Sequence, residues 1–308
     1  MSQLEKSANM PNPLNKKTFT QQFKKSYIGW LFITLSVVGI SLFYFYPMIQ
    51  AFLLSLKSGM GANLEFVGLE NYLRLFEDPT FITALTNTFI YLLIQVPVMI
   101  ILALFFSVLL NDSTLKFKGF FRTAIFLPCV TSLVAYAVIF KYLFAVDGLV
   151  NTFLMSINTI AEPLNWLSDP VLAKITIILA ITWRWTGYNM IFYLSALQNV
   201  DKQMFEAAKI DGATAIQQFF YITVPMLKPI ILFTSIISTI GTLQLFDEVM
   251  NITSGGPGNA TLSISMYIYN LSFEYTPDFG YAATVSYVIV FLVVILSIIQ
   301  FKVAGDRD

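Results

Sequence analysis

From Tyr27 to Leu56 the chain runs 30 residues without a charge, and Phe81–Leu110 does the same. Crossing about 30 Å of hydrocarbon takes about 20 apolar residues in a helix. Helix is required because lipid offers backbone N–H and C=O groups no partner outside the segment. Both runs therefore predict membrane spans. Four further apolar stretches have the length: about Thr123–Phe144, Leu172–Leu197, Pro229–Phe246 and Tyr281–Phe301. Pro47 lies near the outer end of the first run, and Pro97 predicts a kink in the second. The expected fold class is an all-α integral membrane protein with six transmembrane helices. Only 12% of the 308 residues are charged, about half the share in soluble domains, as an exterior facing lipid requires.

Residues 1–26 read as a polar tail rather than a signal peptide, since no short apolar core with a cleavage site is present. Residues 27–303 read as one membrane domain and 304–308 as a C-terminal tail. Loop charge sets the orientation. Six spans place Lys6, Lys16, Lys17, Lys24 and Lys25 on the same side as Lys116, Lys118, Arg122, Lys202, Lys209, Lys228, Lys302 and Arg307. The opposite loops hold only Lys57 and Arg74, with Lys141 and Lys174 at span ends. Both termini are therefore predicted to be cytoplasmic.

Composition also excludes chemistry. The chain has no histidine, hence neither the commonest metal ligand nor the commonest general base. Its one cysteine, Cys129, allows no internal disulfide and no cysteine-rich metal site. No GxxxxGK[ST] occurs, so no P-loop hydrolyses ATP in this chain. Net charge is zero, and nucleic acid is not an expected partner. No catalytic residue, metal or cofactor is expected here.

The third cytoplasmic loop, Asp201 to Met226, has the chemistry of a helix, a turn and another helix. Asp201 can cap the first helix, and Phe205, Ala208 and Lys209 follow at helical spacing. Gly212 suits the position just past a helix, where positive φ is needed. Thr214 with Gln217 forms a capping box for the second helix. Phe219, Phe220 and Ile222 give that helix apolar surface, and Pro225 and Pro229 are expected to end it before the fifth span. On helix chemistry alone the segment is either an amphipathic connector on the membrane surface or a docking element.

The spacing Glu206-Ala207-Ala208, Gly212, Ile222, Pro225 resembles the EAA loop of ABC importer permeases, with Val224 where leucine is usual. Phe66-VGLENYLRLFEDP, Trp166-LSDP, Leu197-QNVDKQMFEAAKIDGA and Thr253-SGGPGNAT followed by Tyr267 and Tyr269 resemble the carbohydrate-uptake branch of that family. The similarity covers roughly residues 28–303 and is to the first of two paired sugar permeases. It implies a type I importer permease fold in a bacterial-type cytoplasmic membrane. It also implies several partners: a second homologous permease, two ATPase subunits carrying ATP and Mg, and an extracytoplasmic solute-binding protein delivering a carbohydrate. In that reading the loop forms coupling helices seated in a cleft of the ATPase. The small Ala207 and Ala208 would let that surface approach closely, and Glu206 would pair with an ATPase arginine.

Arg184 lies near the middle of the fourth span. A charge there is costly and must face protein or water; it either pairs with a neighbouring helix or lines a solute path. The resemblance places Tyr188 at an aromatic that touches sugar. Gln244 and Asp247, at the end of the fifth span, offer polar groups beside Phe246, as sugar hydroxyls and C–H faces require. Glu248 reads as a marker of the outer membrane boundary. Two rivals remain at this point. A secondary transporter driven by an ion gradient needs acidic groups near the midplane, and the first, second and sixth spans have none. A lipid phosphotransferase would need further spaced aspartates after Asp211-Gly212-Ala213, and these do not follow.

Overall fold

The computed structural model describes residues 19–60, 63–112 and 114–304; residues 1–18 and 305–308 of the predicted tails lie outside them. The first unit, to Leu53, is a helical rod. Helix α1 (Phe19–Ile40) begins inside the predicted tail and passes through a π-helical turn, Ser41–Phe45, into α2 (Tyr46–Ser55). The π turn stands just before Pro47, whose missing N–H and ring clash a wider turn accommodates.

The second unit opens with the one departure from an all-helical chain among the described residues. Strands β1 (Lys57–Met60) and β2 (Asn63–Phe66) pair antiparallel, Lys57 opposite Phe66. The sequence reading missed this hairpin. Asn71, buried on the short helix α3 (Glu70–Arg74), ties it down by donating to the carbonyls of Ser55 at 2.9 Å and Lys57 at 2.8 Å.

Helix α4 (Pro79–Asn111) is capped by Asp78, whose carboxylate accepts from the Thr80 and Phe81 amides at 2.9 and 3.2 Å. Its other oxygen accepts from the hydroxyls of Tyr267 and, at 2.7 Å, Tyr281. Burial alone would raise this carboxyl, but the hydrogen bonds from Tyr267, Tyr281, Phe81 and Thr80 outweigh it and hold it below the usual carboxylate range. Arg74 pairs with Asp278 at 2.7 Å and lies 3.9 Å over the Tyr281 ring. These contacts join the first loop to the start of the last helix.

The third predicted span is not one helix. Helices α5 (Lys118–Val130) and α6 (Leu133–Leu143) meet at 102°. Pro128 withholds an N–H, the Thr131 hydroxyl takes the Pro128 carbonyl at 2.8 Å, and Thr131 is extended at ψ 152°. After α7 (Leu149–Ser156) comes α8 (Pro170–Leu197), which starts two residues before the prediction, capped by Asp169.

The loop that follows is a helix–turn–helix: α9 (Lys202–Ile210) and α10 (Ala215–Gln218). Contrary to expectation, Pro225 and Pro229 do not end the second helix. It runs through a π turn, Phe219–Thr223, into α11 (Val224–Leu243). Pro225 follows the π turn within this continuous stretch, so a wider turn again stands just ahead of a proline. The fifth span also stops three residues short of Phe246. Then follow α12 (Asp247–Ile252), α13 (Ile264–Tyr269), a third π turn at Asn270–Glu274, and α14 (Phe279–Ala304).

Four helical stretches are long and apolar enough to cross a membrane: Gly29–Ser55, Pro79–Asn111, Ala215–Leu243 and Phe279–Ala304; the bent α5–α6 pair is a fifth. The remaining predicted span, α8, has the length at 28 residues but is more polar for a structural reason. It is central, packing on α4, α5 and α11, and its buried residues include Thr176, Thr182, Arg184, Thr186 and Asn189. One core gathers Tyr91, Ile177, Leu243, Leu262 and Tyr281, all fully buried; a second lies toward the helix–turn–helix around Met190, Tyr193 and Leu227. Glycine permits two backbone approaches. A Cβ on Gly187 of α8 would stand 2.0 Å from the Ile125 carbonyl oxygen of α5, and one on Gly280 would stand 2.0 Å from that of Lys57.

Candidate functional site

Helix α8 presents Ile181, Arg184, Trp185 and Tyr188 on one face, the i, i+3, i+4, i+7 spacing of a helical stripe. Opposite stand Gln95 and Met99 of α4, and Ser238, Gly241 and Thr242 of α11. Where α11 ends, Gln244 caps it, the chain breaks, and α12 turns Asp247 and Glu248 into the same space. The result is a cavity of about 350 Å³, within the range that takes small ligands. All four residues singled out from the sequence as pathway candidates, Arg184, Tyr188, Gln244 and Asp247, line it.

Arg184 is 7% exposed, and its Nε and Nη1 have no hydrogen-bond partner among the described residues. Its guanidinium lies 5.1 Å over the Tyr136 ring and 5.6 Å over that of Trp185, a cation–π setting. Both readings left open above fit this placement: Arg184 contacts Tyr136 of the neighbouring helix α6 and also lines the cavity. Glu248 is not a boundary marker. It is 5% exposed; burial pushes its carboxyl up, and the attraction of Arg184 works against that shift. Asp247 beside it is exposed. The Trp185 and Tyr188 rings meet edge to face at 5.8 Å. The cavity thus combines donors, acceptors and ring faces, the set that binds a polyhydroxylated solute.

Sequence reasoning missed the polar floor. The Thr242 hydroxyl donates to Gln95 Oε1 at 2.9 Å, and the amides of Gln95 and Asn189 both reach the Met99 sulfur, at 3.1 and 3.3 Å. The available signal was Gln95 itself, a long amide inside 30 uncharged residues. An unpaired amide there is costly, so it had to face protein.

At the other end of α8 lies the helix–turn–helix. Asp201 accepts from the Gln203 amide at 2.9 Å. Gly212 has φ 84°, its N–H bonds the Lys209 carbonyl and that of Ala213 bonds the Ala208 carbonyl; this pair of bonds is the Schellman closure of α9. Thr214 and Gln217 form the predicted capping box. Glu206, Ala207 and Pro225 are exposed, Ala208 and Ile222 half-buried. The loop also exposes large apolar groups that sequence reading did not single out, Ile210 at 87% and Tyr221 at 79%. A concavity of about 360 Å³ lies here, bordered by Ala208, Gly212, Gln217, Tyr221 and Ile222. Phe219 of the loop and Val108 of α4 pack against the same buried cluster, which ties the loop to the bundle.

Residues 78–305 match the family described as binding-protein-dependent transport system inner membrane component. The chain belongs to this family. It is 56% identical over 281 residues to the lactose transport system permease protein LacF of Rhizobium radiobacter, covering 91% of this chain and 94% of the relative. It is 34% identical over 291 residues to the arabinooligosaccharides transport system permease protein AraP of Bacillus subtilis (strain 168), covering 92% and 90%. A chain of the bacterial alginate ABC transporter, solved in complex with an alginate pentasaccharide-bound periplasmic protein, superposes with a TM-score of 0.81 at 20% identity, covering 93% of this chain and 97% of that one. That likeness establishes the type I importer permease fold. The family member described here is accordingly a multi-pass inner-membrane component of a transport system.

Proposed function

We propose that this chain forms half of the translocation pathway of an ATP-driven carbohydrate importer, and that the α8–α11–α12 cavity is where the solute passes. The observation that carries the reading is the convergence of Arg184, Tyr188, Gln244 and Asp247, four residues spread over 64 positions, on one cavity. Arginine N–H groups and carboxylates satisfy hydroxyls, while the Trp185 and Tyr188 rings cover C–H faces. The relatives named for lactose and arabinooligosaccharides support a sugar of two or more units. A solute-binding protein outside the membrane delivers it, a second homologous permease supplies the other half of the path, and two ATPase subunits hold ATP and Mg.

The helix–turn–helix is the coupling element. Glu206, Ala207, Ala208, Gly212, Ile222 and Pro225 border or face its exposed surface, which docks on the cytoplasmic ATPase. Both termini then lie in the cytoplasm.

The test uses the whole complex in proteoliposomes with its binding protein. Arg184→Ala and Tyr188→Ala should each cut sugar uptake about tenfold or more, a loss of about 1.4 kcal/mol, while the subunits still assemble. Assembled variants of both kinds that transport at the wild-type rate would move the path elsewhere. Gradient-driven sugar accumulation by this chain alone would instead favour the secondary transporter.

A further inference from the structure

The cavity is lined by the Arg184 guanidinium and by two carboxyl groups, those of Asp247 and Glu248; burial pushes the Glu248 carboxyl up, and the attraction of Arg184 works against that shift. Arg184 is 7% exposed and lies over the Tyr136 and Trp185 rings with Nε and Nη1 unpartnered among the described residues. Glu248 is equally withdrawn from solvent, yet the two do not close to ion-pair distance. Neither is therefore locked in an ion pair with the other. Charges in a dry site act with little screening, so an entering carboxylate meets Glu248 and Asp247 as well as Arg184. The fold does not dictate this balance, since a solved importer of the same fold takes up the acidic polysaccharide alginate.

We propose that Glu248, with Asp247 beside it, makes this half of the pathway a charge filter that admits neutral sugars and turns away uronates, while Arg184 donates its free N–H groups to sugar oxygens. The filter rests on the reading of the cavity as the solute path. In its ionised form Glu248 carries more of the selection than Asp247, because it is buried and Asp247 is exposed to screening.

The test is equilibrium binding of two radiolabelled probes to the detergent-purified complete complex without ATP or binding protein. One probe is a neutral disaccharide such as lactose; the other is a disaccharide of the same linkage with one unit oxidised to the uronate. The wild type should prefer the neutral probe at least tenfold. Glu248→Gln should shrink that preference by about tenfold, Asp247→Asn by less, and Arg184→Gln should enlarge it. A structural role would not give opposite signs, because it lowers binding of both probes together. Unchanged preference in Glu248→Gln overturns the filter and leaves the path standing. A wild-type complex that transports yet binds neither probe overturns both. Failure of Glu248→Gln to assemble makes Glu248 a structural residue and also overturns the filter.

Discussion

Replacing Gly187 by alanine would put a methyl carbon 2.0 Å from the Ile125 carbonyl oxygen, 2.8 Å from its carbon and 2.9 Å from the Phe126 Cα. All three are backbone atoms of α5, so no rotamer change relieves the clash. Cβ contacts under 3.0 Å are essentially not observed, so α5 and α8 must part by at least about 1 Å, in interiors that transmit rather than absorb such strain. Overpacking costs about 1–3 kcal/mol where side chains can shift, and the rigid neighbour argues for the upper half of that range. The displacement falls at the cavity wall: Tyr188 is the next residue and Arg184 lies one turn earlier. Gly187→Ala should therefore lower both the melting temperature of the purified complex and its rate of sugar uptake. Gly119→Ala, also on α5, is the control. Its methyl meets nothing within 4 Å, and alanine improves helix propensity by about 1 kcal/mol, so stability and uptake should hold. A Gly187→Ala complex that melts and transports like the wild type would refute the close approach of α5 to α8.

Three further expectations are open to measurement. Gly212→Val meets no atom within 4 Å but must adopt φ 84°, a strain of about 1–3 kcal/mol; it should uncouple ATP hydrolysis from uptake, and Glu206→Ala should do the same by loss of docking, so normal coupling in both removes the role assigned to the loop. Reporters fused after Asp308 and within Asn111–Gly119 should read cytoplasm and those within Glu162–Asp169 the outside; a cytoplasmic signal from Glu162–Asp169 contradicts the orientation. Asp78→Asn keeps a side chain able to cap α4 but removes the charge held by Tyr267 and Tyr281. Because the folded carboxyl lies below its ordinary value near about 3.9, its stabilisation is fully present above that pH and is lost as pH falls through the folded value. The variant should melt lower at pH 7 and lose less than the wild type on acidification, and identical melting profiles across pH 3–7 would count against the network.

What the sequence made legible was whatever local chemistry determines. Uncharged runs of 30 residues admit one interpretation, and the Asp201, Gly212 and Thr214–Gln217 signals fix their turns within a few residues, so spans and coupling loop were readable. The errors came where tertiary context decides. Pro225 and Pro229 look like terminators, but a helix can widen to a π turn ahead of proline, as at Phe219–Thr223. Thr123–Phe144 is apolar enough for one helix, and only a side chain competing for the Pro128 carbonyl bends it. Glu248 was misjudged because an acid near a span end ordinarily marks the interface; its burial depends on the α11–α12 break, which no periodicity reveals. Arg184 was singled out because a charge inside a span is costly and Tyr188 because the resemblance places an aromatic there, whereas Gln95 meets Thr242 through a contact across 147 residues.

The path from coupling loop to cavity is short in covalent terms. Helix α8 carries Arg184 and Tyr188 and ends at Leu197, with α9 starting at Lys202. On the other side α10, the π turn and α11 form one helical stretch from Ala215 to Leu243, 29 residues, about 44 Å at 1.5 Å per residue. Its far end is capped by Gln244, next to Asp247 and Glu248. The loop thus joins the two helices that wall the cavity, α8 through its middle and α11 through its far end. The Gln95, Met99, Asn189 and Thr242 contacts that bridge α4, α8 and α11 are the part that must give. The bond between α8 and α4 ends on the Met99 thioether, a weak acceptor, and Asn189 Oδ1 is left without a partner among the described residues. A floor assembled from such contacts costs little to open, which is what a path that alternates its access requires.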